Sequence, residues 1–158
     1  MDSAKIQNWT VLFLPFVTGY VTSAMCRHVS QKKIKSTIRA TPPGIVFAIV
    51  WPILYLLIGL AWQKTRNSNG NKCAITDIIY LKLIGFLCMW IVVYQCADCK
   101  KGGIYVILLS LVSAICTAYY SSKHNSNTPY MLAPLVCWLV FALMLNTLQV
   151  NSNRTVTN

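Results

Sequence analysis

The chain alternates between long apolar blocks and short polar connections. A bilayer core about 30 Å thick needs roughly 20 apolar residues of helix to cross it, and five blocks approach or exceed that length. A lone segment in lipid has to satisfy its own backbone hydrogen bonds, so each block is predicted to be an α-helix. The predicted spans are about 9–26, 44–63, 75–97, 103–120 and 129–149. The pattern therefore predicts an all-α membrane protein, a single bundle of five transmembrane helices forming one domain over residues 1–158.

The connections contain residues that begin or end helices. Pro42-Pro43 precedes the second span, where the fixed φ of proline suits a first helical turn. Asn67–Asn71 separates the second and third spans, Gly102-Gly103 is expected to open the fourth span, and His124–Asn127 is expected to close it. A cleaved signal peptide is an alternative for the first span. However, Asp2 lowers the net positive charge of the residues before the span, and no A-x-A cleavage site follows the span. The first span is therefore interpreted as a helix.

Composition supports lipid as the main solvent. The chain is 56% hydrophobic and 11% charged, whereas a soluble domain carries about 25% charged residues. Its 14 Lys and Arg against 3 Asp and Glu give a net charge of +11. Such a charge can indicate nucleic-acid binding, but here the basic residues lie between the apolar blocks. They indicate connections at an anionic membrane surface, and nucleic acid is not an expected partner.

Five spans place the two chain termini on opposite sides of the membrane, and the basic residues are divided unequally between those sides. One side carries Arg27, Lys32, Lys33, Lys35, Arg39, Lys100, Lys101 and Arg154. The other side carries Lys5, Lys64, Arg66, Lys72 and Lys123. Since basic connections stay in the cytoplasm, the bias predicts a cytoplasmic C-terminus. The particular membrane is not predicted.

Seven cysteines and one intramembrane lysine are open to two interpretations each. The cysteines fall mostly inside apolar blocks, where Cys behaves as a small hydrophobe. Only Cys96 and Cys99 form a C-x-x-C pair, which indicates either a metal or redox site or two boundary cysteines spaced by chance. Chance spacing is the preferred interpretation. Lys82 either extends its ammonium group to the interface or binds an acidic ligand group, and the former is preferred.

The second predicted helix resembles the signature of the translocator-protein/tryptophan-rich sensory protein (TspO/MBR) family, roughly W-x-P-P-x-W-V-F-x-P-V-W-x-x-L-Y-x-x-x-G. The positions in register are Pro42-Pro43, Val46-Phe47, Val50-Trp51, Leu54-Tyr55 and Gly59. The first helix is similar to the family pattern at Pro15, Gly19-Tyr20-Val21 and Ser23. The fifth helix is similar at Pro134, Trp138, Phe141-Ala142 and Leu145-Asn146.

The sequence departs from the family pattern at several positions. Two earlier tryptophans and a later proline of the family signature are replaced by Ala40, Ile45 and Ile49. The asparagine usual in the family's third helix has no clear counterpart. The fifth helix ends without the Tyr and Arg of the cholesterol-recognition motif of animal members, so sterol recognition through that motif is not expected. A looser match over Val92–Lys100 is a weak pattern.

Residues spaced by three or four share one helix face, and two such faces are candidate sites. They comprise Trp51, Tyr55, Gly59 and Trp62 on the second helix, and Trp138, Ala142 and Asn146 on the fifth. Spacing alone fits ordinary helix packing or an apolar pocket between helices. The resemblance favours the pocket, because related proteins bind porphyrins and other flat apolar molecules inside the bundle. The predicted ligand-binding residues are Trp51, Tyr55, Trp138, Ala142 and Asn146, with Trp90 as a candidate that could equally face lipid.

The resemblance implies an integral membrane receptor or carrier that binds a porphyrin (tetrapyrrole) or similar flat apolar ligand. One alternative is light-dependent porphyrin degradation, in which Trp51 and Trp138 exchange electrons with the excited porphyrin. Another is a membrane interaction module without a retained ligand. The expected partners are the lipid bilayer and a tetrapyrrole or sterol-like small molecule, and a second copy of the chain is a further candidate.

Acid–base chemistry has little support in the sequence. Asp2, Asp77, Asp98, His28 and His124 lie in the tail, in connections or at span boundaries. No Ser-His-Asp set, metal-ligand cluster or phosphate-binding glycine loop is recognisable, so no catalytic or metal-binding residues are predicted. No obligatory cofactor is expected. A porphyrin or haem-like ligand would be held by ring contacts rather than by an axial histidine.

Overall fold

The computed structural model describes residues 3–30, 44–69, 73–97 and 99–155. These residues form the α-helices α1 (Ser3–Ser30), α2 (Gly44–Asn69), α3 (Cys73–Ile91), α4 (Lys100–Ser122) and α5 (Thr128–Thr155). After Ile91 the third helix continues in a π-helical turn, Val92–Cys96. All five of these described helices are long and apolar enough to cross a membrane. The prediction of an all-α bundle of five transmembrane helices is confirmed.

The helices extend beyond the predicted spans because hydropathy detects only the part of a helix that lies in lipid. α4 begins at Lys100 and not at Gly103, since the Cys99 carbonyl already accepts a hydrogen bond from the Gly103 amide at 2.8 Å. The prediction that Gly102-Gly103 opens this helix is therefore wrong by one turn. Pro42-Pro43 lies outside the described residues, and α2 begins directly after it.

Consecutive helices run in opposite directions, so their ends lie alternately on two sides of the bundle. The side with the first residues of α1, α3 and α5 and the last residues of α2 and α4 is called the N-terminal side. The side with the last residues of α1 and α5, the π-helical turn and the first residues of α2 and α4 is called the C-terminal side. Helix α1 packs on α2 and α3, α4 packs on α3 and α5, and α5 also packs on α2.

Two glycines allow α1 and α2 to cross closely. A Cβ atom on Gly59 would collide with the backbone carbonyl of Leu12, and one on Gly19 would collide with the Tyr55 ring. Helices in lipid associate through such close packing at small residues. Gly59 therefore serves the close approach of α1 to α2.

Hydroxyl groups join three helices near the N-terminal side. The Tyr80 hydroxyl on α3 lies 2.8 Å from Ser121 Oγ on α4 and 3.1 Å from Thr65 Oγ1 on α2. All three residues are fully buried. Buried polar groups of this kind are costly unless paired, so the pairing fixes the relative positions of α2, α3 and α4.

Asp77 links α2 to α3 at the same side. Its Oδ1 accepts a hydrogen bond from the Trp62 indole at 2.8 Å, and its Oδ2 lies 3.5 Å from Arg66 Nη2. Trp62 also stacks on the Tyr80 ring, with centroids 5.6 Å apart. Trp62 is thus occupied by helix–helix contacts, although its spacing placed it on the candidate face of Trp51 and Tyr55.

Lys82 lies on the exposed outer surface of α3. Its ammonium group is 5.9 Å from the centroid of the Phe86 ring on the same helix. This position on the outer surface disfavours the interpretation of Lys82 as an internal anchor for an acidic ligand group.

Candidate ligand-binding site

Four aromatic rings from α2 and the end of α3 form one continuous column inside the bundle. Their order is Tyr55, Trp51, Trp90 and Tyr94, with successive ring centroids 5.4, 5.4 and 5.3 Å apart. Each intrahelical pair is spaced by four residues, which places its rings on one helix face. The Trp51–Trp90 contact joins the two helices. We call these four residues the aromatic column.

The column is accompanied by buried polar atoms that have no partner among the described residues. They are the Tyr55 hydroxyl, the Trp90 indole nitrogen and both amide atoms of Asn146. Tyr55, Trp90 and Asn146 are 3%, 4% and 2% exposed. A buried polar group without a hydrogen bond costs about 1–3 kcal/mol. Such groups are typical of sites that are completed by a ligand or water.

Asn146 lies where α3, α4 and α5 meet. A Cβ atom on Gly103 of α4 would lie 2.9 Å from its Nδ2 and 3.5 Å from Cδ2 of Tyr94. One turn further along α5, Gln149 Oε1 accepts a hydrogen bond from the Tyr94 hydroxyl at 2.9 Å. The column is therefore bound to α5 at its Tyr94 end, and the unpaired Asn146 amide lies next to that contact.

Trp138 belongs to a different feature. Its ring pairs with Phe141 at 5.4 Å, and it lines an apolar groove of about 390 Å³ between α2 and α5. The groove is lined by Val50, Ile53, Leu54, Pro134, Cys137, Trp138 and Phe141. Ile53 and Phe141 are 52% and 42% exposed, so the groove opens on the outer surface of the bundle.

The predicted site residues are thus divided between two places. Trp51 and Tyr55 belong to the column, Ala142 packs in the same buried cluster as Trp90, and Asn146 lies beside Tyr94. Trp138 lines the outer groove instead.

Trp90 is at the centre of the column, and its burial excludes the alternative in which it faces lipid. Sequence reasoning missed Tyr94 and Gln149. The four-residue spacing of Trp90 and Tyr94 is the signal that could have found the former.

A disulfide joins Cys26 near the end of α1 to Cys96 in the π-helical turn. Cys26 packs in one cluster with Trp90, Ile91 and Ala142, and Cys96 lies at its edge. Cys96 and Cys99 do not bond to each other, which agrees with the interpretation of the C-x-x-C as two boundary cysteines spaced by chance; the partner of Cys96 lies 70 positions away in sequence. Spacing along one helix cannot reveal a partner on another. Cys99 is a free, exposed thiol.

Metal ligands are not concentrated anywhere in the described part of the chain. Within residues 3–30, 44–69, 73–97 and 99–155, no group of three or more His, Cys, Asp or Glu side chains could hold a metal ion. The side chains at the column themselves offer ring stacking and hydrogen bonding by neutral groups.

The five helices of the described residues are long and apolar enough to cross a membrane, and they define the chain as an integral, multi-pass membrane protein. It matches the TspO/MBR family over residues 9–149 and belongs to that family, which confirms the resemblance found in the sequence.

Two relatives illustrate the similarity, and both are called Tryptophan-rich protein TspO. The protein of Archaeoglobus fulgidus is 28% identical over 110 residues, which cover 67% of this chain and 69% of that protein. The protein of Chlorobaculum tepidum is 25% identical over 107 residues, covering 66% of this chain and 68% of the relative.

Proposed function

We propose that the chain is a membrane receptor or carrier that binds a tetrapyrrole, or a similar flat apolar molecule, at the aromatic column. The observation that carries the proposal is the combination of four successive, contacting aromatic rings with buried polar atoms from α2, α3 and α5 that lack a hydrogen-bond partner among the described residues. A flat conjugated ring can stack on such side chains and accept or donate the missing hydrogen bonds.

Charge supports a particular pose for such a ligand. Lys82 lies on the outer surface of α3, away from the column. A carboxylate buried without a cationic partner would cost several kcal/mol. Acidic substituents of a porphyrin are therefore expected to remain at the membrane surface, while its apolar ring enters the bundle. The polar atoms of Tyr55, Trp90 and Asn146 are then available for neutral donors and acceptors of the ring.

The test is a titration of the purified full chain with protoporphyrin, followed by quenching of tryptophan fluorescence. Trp51→Ala and Trp90→Ala are expected to weaken binding about tenfold each, since aromatic stacking contributes roughly 1 kcal/mol or more per ring. Trp9→Phe is the matched control, because Trp9 is 62% exposed on α1 and stacks only on Phe13 among the ring pairs described.

If saturable binding survives both column substitutions, the binding site does not lie at the column. Trp138→Ala then decides whether the outer groove holds the ligand. Absence of saturable quenching in the unmodified chain would favour the alternative of an interaction module without a retained ligand.

Light-dependent porphyrin degradation is a second candidate. The tryptophan in contact with Trp51 is Trp90, with ring centroids 5.4 Å apart, and not the Trp138 expected from the sequence. Two indoles in contact can share the charge left by electron exchange with an excited porphyrin. Illumination of the protein with protoporphyrin in air should bleach the Soret band, and Trp90→Phe should slow the bleaching more than Trp138→Phe. Equal bleaching in both variants and in the unmodified chain would contradict this activity.

We also propose that the C-terminal side faces the cytoplasm. The excess of Lys and Arg in the α1–α2 and α3–α4 connections and in the C-terminal tail supports this orientation.

A further inference from the structure

The Cys26–Cys96 disulfide lies beside the aromatic column. The two Cα atoms are 5.0 Å apart, which is within the usual range for a disulfide. Cys26 is 1% exposed and packs with Trp90 and Ala142, while Trp51 and Tyr94 pack against the edge of the same cluster. The covalent bond therefore ties α1 to the end of α3 that carries half of the column.

Entry of a flat molecule requires these helices to separate. Trp90, Ile91, Ile107 and Ala142 are between 0% and 6% exposed, so the described side chains around the column are already in contact. A ligand that stacks on Trp90 has to move α1, α2 or α5 away from α3. The disulfide restricts the α1 part of that movement.

The bond is also on the side of the membrane where a disulfide is chemically labile. It lies on the C-terminal side, which the proposed orientation places in the cytoplasm. Disulfides are rare in the cytosol of most organisms and, where present, are usually transient and redox-sensing.

We propose that the Cys26–Cys96 disulfide is a redox modification site that controls access to the aromatic column. The oxidised chain is closed to flat ligands, and its reduction by low-molecular-weight thiols opens it. This inference rests on the proposed function for its ligand and on the proposed orientation for its exposure to cytoplasmic thiols.

The reaction is ordinary thiol–disulfide exchange. A thiolate attacks Sγ of Cys96, which is partly exposed whereas Cys26 is 1% exposed. The Sγ–Sγ bond breaks, Cys26 leaves as a thiolate and takes up a proton, and Cys96 becomes a mixed disulfide. A second thiol attacks the mixed disulfide, which releases Cys96 as a thiol and yields one oxidised thiol dimer. Two thiols are oxidised and one protein disulfide is reduced, so atoms and electrons balance.

The experiment compares the full chain before and after treatment with reduced glutathione. Alkylation and peptide mass mapping establish the Cys26–Cys96 link, and protoporphyrin titration measures affinity and association rate. Reduction is expected to increase both by about fivefold or more. Cys26→Ser/Cys96→Ser should behave as the reduced chain and lose its response to glutathione. Cys99→Ser is the matched control and should keep both the link and the response.

Hydrogen exchange provides a readout that needs no ligand. The amides of Ala97 and Cys99 donate to the carbonyls of Val92 and Val93 at 3.0 and 3.1 Å, next to Cys96. Reduction should speed exchange of these two amides about fivefold or more.

Three results would overturn the inference. One is the absence of the Cys26–Cys96 link from protein purified without reductant, and another is unchanged porphyrin binding after the link is reduced. If neither form binds protoporphyrin, the proposed function fails. In that case, unchanged hydrogen exchange of the Ala97 and Cys99 amides on reduction would overturn the redox site independently of any ligand.

Discussion

Asn146 and Gln149, two buried amides one turn apart on α5, differ in what they contact. Gln149 accepts a hydrogen bond from Tyr94, whereas both amide atoms of Asn146 lack a partner among the described residues. A group that only stabilises the fold should be paired, and a group that serves a ligand can remain unpaired until the ligand arrives. The two residues therefore give opposite expectations for the same substitution.

Replacing Asn146 by leucine should raise stability and weaken binding. Leucine has the same number of side-chain heavy atoms in a similar branched shape, and it removes an unpaired amide whose burial costs about 1–3 kcal/mol. The apparent melting temperature in detergent should rise or stay constant, while protoporphyrin affinity falls about tenfold. Gln149→Leu is the contrasting variant, because it leaves the Tyr94 hydroxyl unpaired and should lower stability by about 1 kcal/mol. A clear loss of stability in Asn146→Leu would show that the amide is structural.

The positions of some single residues could be predicted from the sequence, and those of others could not. Trp51, Tyr55 and Asn146 could be chosen from helical spacing and family resemblance, since each marks a helix face. Whether Trp90 points to lipid or to another helix could not be chosen, because an apolar side chain is acceptable in both surroundings in a membrane. The Tyr94–Gln149 hydrogen bond joins residues 55 positions apart, and no local pattern encodes it.

At the level of helices, the α1–α2 crossing depends on backbone contact at Gly59. Gly59→Ala places a methyl group against the Leu12 carbonyl, and a backbone atom cannot move away as a flexible side chain can. The two helices have to separate slightly, at a cost of about 1–3 kcal/mol.

The measurement for Gly59→Ala is thermal unfolding in detergent, with Gly85→Ala as the control. A Cβ atom on Gly85 would meet no neighbouring helix or side chain of the described residues within 4 Å. Alanine there should therefore be neutral, or slightly stabilising through its higher helix propensity. Equal melting temperatures for the two variants would contradict the close crossing.

The existence and number of the helices followed directly from hydropathy, because lipid permits few alternatives to a helix. Their ends did not, since α1, α2 and α5 continue past the apolar residues and the third helix changes to a π-helical turn at Val92. That turn accommodates Cys96 at the disulfide and Tyr94 at the column. It depends on contacts between helices, and a hydropathy pattern contains no information on those.

For the whole molecule, the orientation in the membrane is testable with native and introduced thiols. Cys99 is exposed on the C-terminal side, and Ser68 is exposed on the N-terminal side. In intact cells expressing the chain at the surface membrane, a membrane-impermeant maleimide should label Ser68→Cys and spare Cys99. Labelling of Cys99 and protection of the introduced cysteine would reverse the proposed orientation, and would place the disulfide in a compartment where it is stable.

The distance in sequence between Cys26 and Cys96 has a consequence for how the protein is made. The two residues are separated by 70 positions, so at ribosomal rates the first cysteine is synthesised on the order of ten seconds before the second. During that interval Cys26 is an unpaired thiol in a nascent chain. A thiol-alkylating agent present in this period would block it irreversibly, whereas the same agent added later would find it in the disulfide. Chains exposed to such an agent during synthesis would form a separate population that cannot form the disulfide and therefore cannot close.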